Sequence, residues 1–86
     1  MNVNQLILLV ENKIKKNILI QDITTKDKTY LHKKHISHME GKFHLEISIK
    51  SEELKKYNKI QSTKKIYNIL AKEIKKYIHS IQILIN

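Results

Sequence analysis

The sequence holds no cysteine, no proline, no tryptophan and a single glycine, and all 17 of its basic residues are lysine. Without cysteine the chain has no disulfide and offers no thiolate to a metal or a substrate. With only Gly41, it lacks the glycine-rich loops that cradle phosphates. The absence of arginine removes the side chain best suited to bidentate contacts with phosphate and guanine. Long apolar runs are also missing: no stretch approaches the ~20 residues that cross a bilayer. Met1-Asn2-Val3-Asn4 carries neither a basic region nor a small-residue cleavage site, so no secretory signal is expected. The expected address is the cytoplasm, with no membrane partner.

What remains is a chain of 86 residues, 41% hydrophobic, with a formal net charge of +9. That length makes one domain, residues 1–86. A chain this short buries only about 60% of its unfolded surface, so a deep substrate cavity is not expected. The hydrophobic content suffices for a packed globule. The positive charge suits an anionic partner. Lysine, isoleucine and asparagine share AT-rich codons, however, and a solvated lysine surface explains the charge equally well.

Periodicity organises the chain into alternating elements. Residues 4 to about 16 have Val3, Ile7, Val10 and Ile14 at helical spacing, with Leu6 and Leu9 widening the stripe. Residues 18–24 are short and rich in isoleucine and threonine, which predicts a strand. Residues 25–42 have no clear period and carry His32, His35 and His38; a loop this long in a small domain is often functional. In residues 43–50, Phe43, Leu45, Ile47 and Ile49 alternate with His44, Glu46, Ser48 and Lys50, which predicts a strand with one buried and one wet face. Ser51 followed by Glu52 and Glu53 starts a short helix. Asn58 and Gln61 form a capping box for a long amphipathic helix with Ile66, Leu70 and Ile74 inside. Its other face holds Lys64, Lys65, Lys72, Lys75 and Lys76. Residues 78–85 close the chain as a strand. Helices grouped on one face of a three-stranded mixed sheet satisfy the packing rules for such an α+β order.

The candidate functional residues are histidines and lysines. On its own, His79 opens a strand on the apolar parity and suits a structural role, its ring bonded to backbone and packed on the core. The three loop histidines are spaced as solvated side chains or as an incidental metal site. The lysines of the long helix can track phosphates or steer an acidic protein partner. No Ser-His-Asp order with supporting glycines, no phosphate loop and no His-Glu-x-x-His stands in the sequence, so an enzyme is not expected.

An ordered set of motifs resembles the BolA family. Ile66-Tyr67-Asn68-Ile69-Leu70-Ala71-Lys72-Glu73-Ile74, then Ile78-His79-Ser80-Ile81, is similar to a helix ending Leu-Ala-x-Glu-Leu, a spacer, and Val/Ile-His-Ala-Leu. His44-Leu45-Glu46-Ile47-Ser48-Ile49-Lys50-Ser51-Glu52-Glu53-Leu54 resembles His-Phe-x-Val-x-Val-x-Ser-x-x-Phe, and the spacing from His44 through Leu54 and Leu70 to His79 is kept without gaps. Asp22 and Thr24 match Leu-x-Val-x-Asp-x-Ser.

The resemblance implies a class II KH-like fold, α-β-β-α-α-β. It implies an adaptor that partners a monothiol glutaredoxin and shares a [2Fe-2S] cluster, held only in the complex with glutaredoxin and glutathione and not by the isolated chain. The metal ligands it implies are His79 and His35, with His32 and His38 as alternatives because the loop is longer than the family's. The other function associated with such folds is nucleic-acid binding in transcription regulation, for which the lysine face is the candidate. A Gly-x-x-Gly clamp is absent here, Ser62-Thr63 replaces the family's Arg-His pair, and Lys56 stands where the family has glycine. The free chain is expected to be a monomer or a weak homodimer.

Overall fold

The computed structural model describes residues 2–29 and 42–86. The chain runs α1 (Val3–Asn17), β1 (Asp22–Asp27), β2 (Phe43–Lys50), α2 (Glu52–Lys55), α3 (Lys59–Ile69), α4 (Ala71–Lys76) and β3 (Ile78–Ile85). The sheet order is β1-β2-β3. β1 pairs antiparallel with β2, and β2 pairs parallel with β3. The α+β class and the mixed three-stranded sheet are as expected from the pattern.

α1, α2 and α3 each begin at a capping side chain, whereas α4 has none. The Asn2 side chain accepts from the Gln5 amide while Gln5 reaches back to the Asn2 amide, and Asn58 and Gln61 repeat this box at α3. Such reciprocal pairs satisfy two of the orphan donors at a helix start. Ser51 caps α2 and also donates from its hydroxyl to the Leu19 carbonyl at 2.7 Å, so it is wholly buried.

That bond explains why the first strand starts later than its composition predicts. Residues 18–21 are not sheet. Ile18 ends α1, its amide bonded to the Ile14 carbonyl, and Leu19 donates to the Glu53 carboxylate. Gln21 gives its amide to Lys50 and receives the Glu52 amide at its side chain. The backbone groups of this apolar run are thus spent on the start of α2. The strand extends instead through Thr25, Lys26 and Asp27, which had been expected in the loop.

Across the sheet, residues of one face align in rows: Ile23, Ile49 and Ile85; Thr25, Ile47 and Ile83; and, at the strand end, the exposed Asp27 with Leu45 and Ile81. Leu6, Val10 and Ile14 of α1, Leu54 of α2 and Ile66 of α3 join the strand residues in one core, with Leu70. Leu9 does not widen the α1 stripe; it and Leu8 are exposed. On the other face Asp22 lies opposite Lys50, and Lys26 opposite Glu46, charge pairs that favour this register.

The long helix is interrupted. At Leu70 the backbone leaves helical geometry, with φ −98° and ψ 14°, separating α3 from α4. The ladder still spans the bend, because the Leu70 amide reaches the Ile66 carbonyl and the Ile74 amide reaches Leu70. Leu70 is wholly buried at that point. The amphipathic stripe therefore stays continuous across the bend, which is why periodicity alone shows a single helix. Glu73 is buried despite its charge and joined to Lys13 of α1 at 2.9 Å. Tyr67 is 39% exposed, and its hydroxyl donates to the Ile81 carbonyl.

Candidate functional site

The parallel pairing of β2 and β3 contains one irregularity, and both described histidines sit in it. Phe43 pairs with Ile78, but His44 pairs with Ser80, so His79 is an extra residue on β3. Such a bulge leaves its extra residue out of the ladder and re-aims the side chains around it. The strand before it is anchored by the Phe43 amide on the Tyr77 carbonyl at 2.9 Å.

The bulge brings the two imidazoles together. Their ring centroids are 4.9 Å apart with an interplanar angle of 66°, an edge-to-face contact. His79 is half-buried. His44 is only 4% exposed, which corrects the expectation that it lies on a wet face. Strand parity does put it on the outer face beside Glu46 and Ser48. At this end of the sheet, however, the bulge folds His79 against it, and Ser80 reaches its Nδ1 at 2.6 Å. The His44 backbone is fixed as well. Its amide donates to the Thr29 hydroxyl at 3.1 Å, and its carbonyl accepts from the Lys28 amide at 2.7 Å. Thr29 is itself held, its amide and hydroxyl both donating to the Asp27 carboxylate.

Thr29 and Lys42 flank the long segment, and Lys42 donates from Nζ to the Lys75 carbonyl at 3.1 Å. The candidate ligands His35, His32 and His38 lie outside the described residues. The stretch that carries them departs from Thr29, which touches His44, and returns one residue before Phe43. Among the described residues, no group of three or more His, Asp or Glu side chains is placed to hold a metal ion. This end of the sheet therefore offers one partly exposed imidazole, backed by a second that is buried and hydrogen-bonded. The pairing of His44 with His79 was not legible from strand parity. The skipped position in the β2–β3 register creates it.

The lysines present a different arrangement. Lys64, Lys72, Lys75 and Lys76 are exposed, while Lys65 is half-buried with its ammonium 4.7 Å from the centre of the Tyr57 ring. The bend at Leu70 divides them, two on α3 and three on α4. Lys75 and Lys76 occupy the last turn of α4, where cations complement the helix dipole. Among the described residues none of the five has an ion-pair partner. Ser62 is no part of this surface. It is 1% exposed and donates to the Leu54 carbonyl at 2.9 Å, linking α2 to α3. Lys56 is exposed. A shallow groove lined by Leu54, Tyr57, Lys59, Ser62 and Leu84 lies near the far end of β3 and shares no residue with the histidine pair. No described helix is long and apolar enough to cross a membrane.

Comparison with known proteins bears on the family and the fold. Residues 14–86 match the model of a protein family described as BolA-like protein. No curated protein matches the sequence. Among solved structures, the fold is similar to the BolA domain of SufE1 from Arabidopsis thaliana, with a TM-score of 0.79 and 19% identity over 100% of this chain and 93% of that one. It is also similar to BolA1 from Arabidopsis thaliana, with a TM-score of 0.75 and 19% identity over 91% of this chain and 86% of that one. At such identities the structural likeness speaks for the fold alone.

Proposed function

The chain belongs to the BolA-like protein family, and from that premise we propose that it is a non-catalytic adaptor that binds a monothiol glutaredoxin and shares or passes on a [2Fe-2S] cluster. The observation that carries this reading is the bulge at His79, which sets a half-buried imidazole beside the base of the histidine-bearing segment. His79 is one ligand of the shared cluster, and His35 is the second, with His32 and His38 as alternatives.

The donor set fits a shared cluster and not a resident one. A [2Fe-2S] centre takes four terminal ligands, and imidazole can replace thiolate on one iron, raising the potential. This sequence has no cysteine, so it supplies nitrogen donors alone. The thiolates must come from the partner, as the glutaredoxin cysteine and glutathione would provide. The chain's own task is to hold an imidazole at a fixed place and present it to a cluster whose thiolate ligands belong to another molecule. The exposed lysines of α4 adjoin this end of the sheet in sequence and suit attraction of an acidic partner surface.

The test is titration of cluster-loaded monothiol glutaredoxin with this chain, followed by visible absorption and circular dichroism. A new, stoichiometric spectrum is expected, and His79→Ala is expected to abolish it. An unchanged cluster spectrum with the native chain would overturn the reading. The exposed lysines without ion-pair partners favour a second reading, a nucleic-acid-binding regulator. It requires duplex DNA binding that survives physiological salt, although contacts of lysine with phosphate alone weaken steeply as salt rises. Negligible affinity at that salt would sink this alternative.

A further inference from the structure

A bulge frees a side chain from the pleat, and that freedom raises a question of control at His79. The extra residue of a bulge has no place in the ladder to fix its direction. The outer torsion of a histidine side chain is broad and roughly two-fold, so the residue's own rotamer preferences do not fix its ring plane either. A ligand that must meet an iron held by another molecule needs both direction and plane set beforehand, because a ligating group held loosely loses geometry at the site.

The fixed object next to it is His44. This residue sits on the central strand, bonded at its amide to Thr29 and at its carbonyl to Lys28. Its ring is held by Ser80 at 2.6 Å from Nδ1, a contact that removes the two-fold ambiguity of that ring. It is 4% exposed, whereas His79 is half-buried. The edge-to-face contact at 4.9 Å and 66° then transmits one ring's orientation to the other.

We propose that His44 is the positioning residue of this site. Its Ser80-held ring sets the plane of the His79 imidazole and so the direction in which His79 presents its ligating nitrogen. This deepens the cluster-sharing reading and rests on it. Its side chain meets His79 and its amide donates to the Thr29 hydroxyl. His44 acts through His79 and is not itself a ligand.

Four variants test this: His44→Ala, His44→Phe, Ser80→Ala and Ser80→Thr. Ser80 is exposed, so its replacement leaves the core whole even if His44→Ala fails to fold. The first measurement is NMR relaxation of the His79 ring in the free chain. The ring is expected to be rigid in the native protein and to fall to an order parameter below about 0.6, the flexible range, in His44→Ala. Ser80→Ala and His44→Phe are expected to loosen it less, and Ser80→Thr to restore it. The second measurement is the glutaredoxin titration. There Ser80→Ala and His44→Phe should shift half-saturation on the order of tenfold and alter the circular dichroism of the cluster, as loss of an outer-shell partner does. Ser80→Thr should recover the native spectrum.

A His79 ring equally rigid in every folded variant, with native circular dichroism wherever a cluster forms, would overturn the proposal. If the native chain leaves the glutaredoxin cluster unchanged, the cluster-sharing reading falls by itself. The ring-order measurement on the free chain still decides whether His44 positions His79.

Discussion

At the bulged end of β2 and β3, a chain of polar contacts holds neighbours together: Ser80 to the His44 ring, the His44 amide to Thr29, Thr29 to Asp27. Along α3 and α4, the exposed lysines have no ion-pair partner among the described residues. The first region has few charges and a defined geometry. The second has many charges and little geometry beyond the helices themselves. Coordination of a metal depends on donor atoms placed to within fractions of an ångström, so it belongs with the first. Long-range attraction needs only charge of one sign and tolerates mobile side chains, so it belongs with the second. On the proposed reading the two regions divide recognition between them, steering by the lysines and ligation by His79, which His44 positions.

The comparison breaks most severely if the lysine-bearing helix is attacked from its hidden side. Ile66 is wholly buried between Lys64, Lys65 and the bend at Leu70. Ile66→Ala is expected to cost about 2–5 kcal/mol, the range for truncating a buried aliphatic side chain. Lys64→Ala, two residues away and exposed, is expected to stay within about 0.5 kcal/mol of native. Urea unfolding of both variants gives the contrast directly. Equal costs would mean that the lysine surface is itself structural, and the division drawn above would fail.

A smaller effect is expected at Glu73, the acidic residue among these lysines. Its carboxylate turns inward to Lys13, whose side chain is one-third exposed. Glu73→Gln keeps the shape and removes the charge. The loss should be about 1–2 kcal/mol, in keeping with a hydrogen bond to a charged group whose partner can still find water. The cluster titration should be unaffected, because the contact lies between α1 and α4. A native unfolding midpoint for Glu73→Gln would show that α4 is seated by Ile74 and Leu70 alone.

These expectations also mark how far the sequence could be followed. Alternation set β2 and β3 to the residue, and capping chemistry set α2 and the start of α3, because those signals are local. The delayed start of β1 depends on Ser51, Glu52 and Glu53, some thirty residues away, claiming the backbone of Leu19 and the side chain of Gln21. No window on residues 18–24 contains that information. His79 was identifiable as a candidate from its motif. Its bulge, and with it the partnership with His44, is a property of the β2–β3 register. Parity treats every strand residue as paired, so one skipped position is invisible to it. The same limit hid the inward turn of Glu73, where charge alone pointed to the surface.

The smallest effect sharpens the lysine side of the comparison, where Lys65 departs from its neighbours. Its ammonium lies 4.7 Å from the centre of the Tyr57 ring, and Tyr57 is 40% exposed. A cation over an aromatic face at a partly exposed site contributes about 0.5–1 kcal/mol. Lys65→Met keeps the unbranched stem and removes the charge, so it isolates that contribution from packing. The expected cost is about 0.5 kcal/mol, and it should vanish in a Tyr57→Leu background. The double-mutant cycle matters more than the single value, because it separates a contact between two side chains from a general change in net charge. A coupling energy of zero would return Lys65 to the solvated set with Lys64, Lys72, Lys75 and Lys76. A measurable coupling would make it the one lysine of the five whose head is positioned, and so the first to examine for a contact that depends on direction as well as on charge.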